Sequence, residues 1–217
     1  MLYIVSTPIG NLEDISPRAI ETLKSVHTIL AEDTRHTRKL CSHYDIHTPL
    51  VSFHAHSSSD KAQSIIELLK EQDVALVSDA GTPGISDPGA ELISKAIEAG
   101  ITVSPIPGAS AVTAALICTG FDLSRFVFLG YLPQKAGKQQ KLIEKNLLRR
   151  CPIIMYESPH RIIKTLENLE PQLQRKQLVI ARELTKKFEE FIRGDYSQVM
   201  SQIKKNPPRG EMTVIIN

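Results

Sequence analysis

The sequence predicts an α/β protein of two domains, with a mostly parallel sheet in the first and a mixed sheet in the second. Three observations carry this. Up to about residue 120, short β-rich apolar runs alternate with amphipathic stretches, the pattern of successive βαβ units. The runs are apolar at consecutive positions, as strands covered on both faces are. Beyond that point the alternation gives way to strands close enough in sequence to pair as a hairpin.

Taken in order, "LYIV" (Leu2–Val5) reads as the first strand. "SPRAIETLKSV" reads as a helix, with Ser16 as N-cap and Pro17 at the first helical position, where the missing N–H is no loss. "TILA" is a strand and "DTRHTRKLCSHY" a helix. "LVSF" is a strand, and "SDKAQSIIELLKEQ" a helix with apolar residues at helical spacing. "VALVS" is the next strand, and "DPGAELISKAIEAG" a helix closed by Gly100 as a C′ glycine. "ITVSPI" is a strand and "ASAVTAALICTG" a helix ending near Gly120. The domain boundary falls at "GFDLSR", dividing the chain into 1–120 and 121–217. In the second part "RFVFLGYLP" is a strand, followed by the basic stretch "QKAGKQQKLIEKNLLRR". "PIIMYESPHR" is a strand passing into a turn. "LVIARELT" and "FEEFIRG" pair as a hairpin, "DYSQVMSQIKK" is a helix, and "GEMTVIIN" is the last strand. No low-complexity segment or internal repeat stands out.

At 217 residues, 41% hydrophobic and 23% charged, the chain can bury a sizeable core without disulfides or a structural metal. A net charge of +2 leaves room for a nucleic-acid partner, because a local basic patch suffices to meet phosphates. Cys41, Cys118 and Cys151 lie far apart and form no CxxC pair, which fits a reducing cytoplasm. The N-terminus lacks the basic and long apolar regions of a signal peptide. No apolar run is long enough to span a bilayer.

Three strand exits are rich in proline and glycine. The first is "STPIGN", where Gly10 permits close approach of a ligand to the backbone. It matches neither G-x-G-x-x-G nor a Walker A loop. The second is "VSDAGTPGISDPG". Asp79 sits at the carboxyl end of a strand, where open α/β sheets bind ligands, and Asp87 reads as an N-cap. The third is "PIPGASAV", whose small residues suit either a flat ligand or a close helix–sheet contact. Each exit alone is a plain turn. Together they describe a backbone-lined cleft without fixed positive charge, suited to an adenosine-type ligand lacking phosphates.

"AEDTRHTRKL" gathers Glu32 and Asp33 at a strand end and Arg35, Arg38 and Lys39 on one face of a helix. That face is either a phosphate contact or a solvated surface. His43, His47, His54 and His56 match no usual zinc spacing, so no metal is expected. "YESPHR" places Glu157 at another strand end. "ARELTKKFEE" adds Arg182, Glu183 and Lys186, and Glu157 with Arg182 is a candidate pair, since strand charges are costly to bury alone.

In linear order, "LYIVSTPIGNLEDISPRA", "AEDTRHTRKL", "LVSDAGTPGISDPG", "PIPGASAVTAAL", "FLGYLP", "YESPHR", "ARELTKKFEE" and "GEMTVII" resemble the ribosomal RNA small-subunit methyltransferase I family. That family is a branch of the tetrapyrrole methylase superfamily, the class III methyltransferases dependent on S-adenosylmethionine (SAM). The resemblance covers essentially the whole chain. It implies a tetrapyrrole methylase-like fold with SAM between two domains, a cytoplasmic homodimer, and 2′-O-methylation of a cytidine in the decoding region of 16S rRNA within the small ribosomal subunit. Carried over by motif, it implies SAM contacts at Pro8, Ile9, Asp79, Ala80, Thr82, Ser110 and Ala111, then at Tyr156, Leu184 and Met212. For that reaction Glu32, Asp33 and Glu183 are the candidates for proton removal or hydroxyl orientation, with Lys186 as charge partner, and Arg35, Arg38 and Lys39 the candidates for RNA contact. Many members continue past the "GEM" strand, and any RNA contacts made there are expected to be missing from a chain ending at Asn217. Two alternatives stay open: a tetrapyrrole C-methyltransferase of the same fold, and a non-catalytic SAM-binding module, against which the charges of "AEDTRHTR" and "ARELTKK" argue.

Overall fold

A computed structural model describes residues 1–54, 59–86, 89–207 and 209–217. His56 and Asp87 lie outside them. The chain folds as two compact units, Met1–Ser110 and Ala111–Asn217.

Unit 1 alternates strand and helix: β1 (Leu2–Val5), α1 (Pro17–Ser25), β2 (Thr28–Ala31), α2 (Thr34–His43), β3 (Leu50–Ser52), α3 (Ser59–Leu69), β4 (Val74–Val77), α4 (Ala90–Glu98) and β5 (Val103–Ile106). A short 3-10 turn, Leu12–Asp14, precedes α1. Among the described residues the five strands form one sheet in the order β3-β2-β4-β1-β5, and every pairing is parallel.

Right-handed crossovers dictate where the helices go. The chain moves one way along the sheet from β1 to β2 to β3, which places α1 and α2 on one face. It then moves back from β3 to β4 and beyond to β5, which places α3 and α4 on the other. The side chains of single strands divide accordingly. Ile29 and Ala31 of β2, with Ala75 and Val77 of β4, join Ala19, Leu23, Leu40 and Cys41 in one cluster. Leu30, Val74 and Leu76 join Ile65, Ile66, Leu69, Leu92 and Ala96 in the other. Strands buried on both sides are apolar at nearly every position, and β2 and β4 are buried throughout, with Thr28 at the start of β2 the one polar residue.

Unit 2 opens with α5 (Ala111–Ile117), then β6 (Val127–Tyr131), α6 (Ala136–Leu147), β7 (Ile153–Glu157), α7 (Ile162–Asn168), α8 (Glu170–Leu173), β8 (Gln177–Arg182), β9 (Glu190–Asp195), α9 (Tyr196–Lys205) and β10 (Met212–Ile216). Its strands run in the order β6-β7-β10-β8-β9. β6 and β7 are parallel, and the other pairings are antiparallel, including the expected β8–β9 hairpin. Side chains of α6, α7, α8 and α9 bury one sheet face in a continuous core that includes Ile143, Leu166, Leu173 and Ile203. α5 packs with β10, so the helix expected to close the first domain belongs to unit 2 here.

Local chemistry sets the helix starts. The Ser16 hydroxyl accepts from the Ala19 N–H at 3.1 Å, with Pro17 next. Asp195 and Gln198 complete a reciprocal capping box on α9. The N-cap of α4 is Gly89, at φ +124° and without a side-chain cap bond. Among the described residues no helix is long and apolar enough to cross a membrane. Replacing Ser16 by Ala strands one N–H of the first turn, and urea unfolding should show a loss of about 1 kcal/mol.

Candidate functional site

In the sheet of unit 1, β1 and β4 are neighbours whose connections leave in opposite directions, β1 toward β2 and β4 toward β5. Their carboxyl ends form the switch point where open α/β sheets hold ligands. The two exit loops are clamped there. The Thr7 N–H donates to the Gly81 carbonyl at 2.9 Å, and the Gly81 N–H to the Thr7 carbonyl at 3.1 Å. Gly81 makes this bridge at φ +81°, a conformation that a side chain would strain. The Thr7 hydroxyl donates to the Ser78 carbonyl at 3.1 Å, and the Ser6 and Thr82 hydroxyls share a bond of 2.9 Å.

The β5 exit joins the same knot. The Thr82 hydroxyl donates to the Ala109 carbonyl at 3.4 Å. Gly108 lies so close to Ser6 that a Cβ there would fall 2.9 Å from the Ser6 Cβ. Pro8, Ile9, Asp79, Thr82 and Ser110 are all half-buried around this point, and Ala80 is exposed. Within unit 1, then, the sequence-predicted residues of all three exits converge. Ala111 is the first residue of α5.

The β2 exit is tied in through Asp79, whose carboxylate accepts the backbone N–H of Asp33 at 3.0 Å. Asp33 is the N-cap of α2. It accepts the Arg35 N–H at 2.8 Å and grips the Arg35 guanidinium through both oxygens, at 3.1 and 2.8 Å. The guanidinium bonds, followed by the backbone bond, pull the Asp33 carboxyl down to about 2. Arg35 is therefore folded back on its own cap, while Arg38 and Lys39 are exposed on α2.

Unit 2 gathers its own set at one sheet end. Met212 starts β10 and stands opposite Glu157 on β7 and Arg182 on β8. An antiparallel central strand thus brings its first residue between the last residues of its neighbours. Tyr156, Glu157, Glu183, Leu184 and Met212 come together without being near in sequence. Leu184 and Met212 are buried. The Tyr156 ring is flanked by Phe128 at 5.0 Å and Tyr131 at 5.6 Å. Phe128 and Tyr131 are three apart, so a regular strand would point them to opposite faces. A register shift with Gly130 at φ +62° turns both toward Tyr156.

Glu157 and Arg182 do not pair with each other. Glu157 is fully buried. It accepts from the Thr165 hydroxyl at 2.7 Å and the Ser158 N–H at 2.8 Å, with the Arg161 guanidinium 3.3 Å away. Arg182 is paired with Glu190 on the adjacent hairpin strand. The cross-strand neighbour satisfied Arg182, and the turn after β7 satisfied Glu157, so neither needed the other.

The β8 exit is strained. Glu183 and Thr185 hold φ of +50° and +63°, a region that non-glycine residues occupy at a cost of about 1–3 kcal/mol and mostly at functional sites. The Lys186 ammonium lies 3.0 Å from the Glu183 carboxylate, and the Thr185 N–H donates to Glu189 at 2.7 Å. A Cβ on Gly210 would collide with the Glu183 carboxylate, so this glycine is what leaves the side chain its place. Sequence reasoning missed Gly210 and Gly130; an isolated glycine before or within a strand is the signal that marks both. Among the described residues no group of three His, Cys, Asp or Glu can hold a metal ion.

The family model for tetrapyrrole (corrin/porphyrin) methylases matches residues 1–199. A protein of Synechocystis sp. named ribosomal RNA small subunit methyltransferase I is 49% identical over 218 residues, covering 100% of this chain and 78% of its own length. One of the same name from Bacillus subtilis is 48% identical over 217 residues, covering 100% of this chain and 74% of its own. Among solved structures, a diphthine synthase matches with a TM-score of 0.79 at 15% identity, over 99% of this chain and 88% of that one. A cobalt precorrin-4 methyltransferase matches with a TM-score of 0.71 at 15% identity, over 100% and 94%. At such identities the structural likeness speaks to the fold alone.

The Gly108–Ser6 approach generates a prediction of its own. In Gly108→Ala the new methyl group forces the β5 exit off β1. We expect a loss of about 1–3 kcal/mol, read as a lower urea midpoint at unchanged slope. A midpoint equal to wild type would mean the exits are not held together.

Proposed function

This chain belongs to the tetrapyrrole (corrin/porphyrin) methylase family, in the branch of the ribosomal RNA small subunit methyltransferases I, and from that membership we propose that it transfers a methyl group from SAM to the 2′-hydroxyl of a cytidine in the decoding region of 16S rRNA. It does so as a cytoplasmic homodimer acting on the small ribosomal subunit. The observation that carries the reading is the knot of three exits at the switch point. Ser6–Gly10, Ser78–Ser86 and Pro107–Ser110 contain no lysine or arginine, so they offer backbone groups and hydroxyls but nothing to meet a phosphate.

These residues fit SAM. Its adenosine and methionine parts need hydrogen-bonding edges and close backbone approach, and its sulfonium is repelled by fixed cations. Pro8, Ile9, Asp79, Ala80, Thr82, Ser110 and Ala111 are assigned to it, together with Tyr156, Leu184 and Met212. When bound, SAM supplies an electrophilic methyl group on a positively charged sulfur.

The chain's own groups handle the hydroxyl. A ribose hydroxyl is a weak nucleophile and gains reactivity as its proton is removed. Asp33 is a poor base, since Arg35 holds it down to about 2 and its oxygens are occupied by the cap. Its part is to fix the start of α2. Glu183 is the proton acceptor in this reading. Lys186 and Gly210 set the position of its carboxylate, and the strained backbone aims it. Glu32, one residue before the α2 cap, orients the hydroxyl. Buried Leu184 and Met212 keep water away from their sheet end.

The experiment that tests the function incubates the protein with labelled SAM and small subunits, then maps alkali-resistant ribose methylation. Label entering a uroporphyrinogen instead would establish tetrapyrrole chemistry. Glu183→Gln and Glu32→Gln should retain SAM affinity and lose methyl transfer by about 10²-fold or more; full turnover in both would remove them from the reaction. In Arg38→Ala and Lys39→Ala, the dependence of RNA affinity on salt should flatten by about 0.7–0.9 for each phosphate that is no longer neutralised. Arg35→Ala should change it less, because Arg35 is engaged by Asp33.

A further inference from the structure

The basic stretch after β6 becomes α6, and its cations are arranged rather than scattered. Gln139, Ile143 and Asn146 turn inward and are buried. Lys138, Lys141 and Lys145 fall at i, i+3 and i+7, within one stripe on the opposite face, and all are exposed. Lys135 sits at the N-cap, and Arg149 and Arg150 follow the last turn, also exposed. Among the described residues none of these six has a carboxylate within ion-pair distance, whereas nine ion pairs form elsewhere. The one acid of the segment, Glu144, accepts from Gln172 at 2.7 Å.

Six of the chain's 26 lysines and arginines thus stand with one of its 24 acids in the sixteen residues Lys135–Arg150. The rest of the chain holds 20 bases against 23 acids, so a nearly neutral protein carries its positive charge segregated on one helix. Like charges at these spacings destabilise a helix slightly, and one acid, Glu144, stands among the six cations.

The helix is also held rigidly. The Gln139 side chain donates to the Pro133 carbonyl at 2.8 Å and accepts from Asn168 at 3.1 Å. The Gln140 side chain donates to the Asn168 carbonyl at 2.8 Å. Buried polar groups anchor the inner face to the β6 exit and to the end of α7, so the lysine stripe starts beside the sheet end that carries Tyr156 and Glu157. At a rise of 1.5 Å per residue the stripe from Lys138 to Lys145 extends about 10 Å, long enough to meet several successive phosphates of one strand.

We propose that the outer face of α6 is a docking surface for the phosphate backbone of structured RNA, holding the substrate by charge without reading its bases. The partner's identity rests on the rRNA methylation reading; the surface rests on the geometry. Phosphate contacts position a nucleic acid and carry the salt dependence of its binding.

The test replaces Lys138, Lys141 and Lys145 together by Gln and, in a second variant, by Arg. Binding to a 16S rRNA fragment is measured across a potassium chloride series, apart from methyl transfer. The Gln variant should flatten the slope of log affinity against log salt by about 2–3, raise KM for RNA, and leave SAM affinity and kcat at saturating RNA unchanged. The Arg variant should keep the wild-type slope. An unchanged slope in the Gln variant overturns the assignment, as does wild-type protein that does not bind the RNA. So does a loss confined to vesicles containing phosphatidylserine. Wild type that binds RNA but methylates none refutes the methylation reading alone, because the slope still reports on the helix.

Discussion

The two hydrogen bonds between Thr7 and Gly81 are the constraint on which the first unit's site depends. A doubly wound sheet reverses direction between β1 and β4, and reversal sends the two exit loops apart. Left unjoined, they would leave exposed backbone and no defined surface. The bridge closes them into one wall, and the residues either side extend it. Ser6 reaches Thr82, Thr82 reaches Ala109, and Gly108 lies against Ser6. Every link uses a small side chain or none, because only small residues let three backbones approach at one point. The absence of lysine from these loops follows the same logic: the contacts are made by the backbone, and a long cationic side chain would fill the space they enclose.

The second unit solves a similar problem by antiparallel pairing. β10 enters the sheet between β7 and β8 in the opposite sense, so the start of one strand meets the ends of two. This collects Tyr156, Glu157, Glu183, Leu184 and Met212 from three separated stretches. It also explains where strain is tolerated. Glu183 and Thr185 hold positive φ, but the turn they belong to is fastened by Lys186, by Glu189 and by the empty side of Gly210. Strain of this kind persists only where surroundings over-determine it.

Much of this was legible in the sequence. β4 is apolar at every position, and β2 at every position but Thr28, because helices cover both sheet faces, and the alternation of runs gave the parallel sheet away. Ser16 with Pro17 announced a helix start that the structure confirms. The β8–β9 hairpin was readable from spacing alone. What stayed hidden was register. Nothing in "FLGYLP" says that Gly130 lets two aromatics share a face. Nothing in "YESPHR" and "ARELT" says that Glu157 turns to Arg161 and Arg182 to Glu190. These are choices between partners of equal chemistry, decided for Arg182 by what lies across the strand and for Glu157 by the turn that follows its own strand. The helix of "KAGKQQKLIEKNL" was masked because its apolar positions are few and two of its buried residues are the amides Gln139 and Asn146.

Among the charged residues, role follows from what already occupies the polar atoms. Asp33 and Glu157 stand at strand ends beside the exit loops, as Glu183 does, and by type all three are equal candidates for acid–base work. Yet Asp33 is occupied by a backbone N–H and a guanidinium, and Glu157 by a hydroxyl, an N–H and a guanidinium. Carboxylates so satisfied hold structure together, because their oxygens are already committed to partners within the fold. Among the described residues Glu183 has one exposed lysine as its ion-pair partner, and it holds a positive φ. The same distinction separates the cations. Arg35, Arg161 and Arg182 are engaged within the fold, and the stripe on α6 is not. Charge that the fold pairs internally is less available to a ligand than charge that is left exposed and unpaired, as on α6.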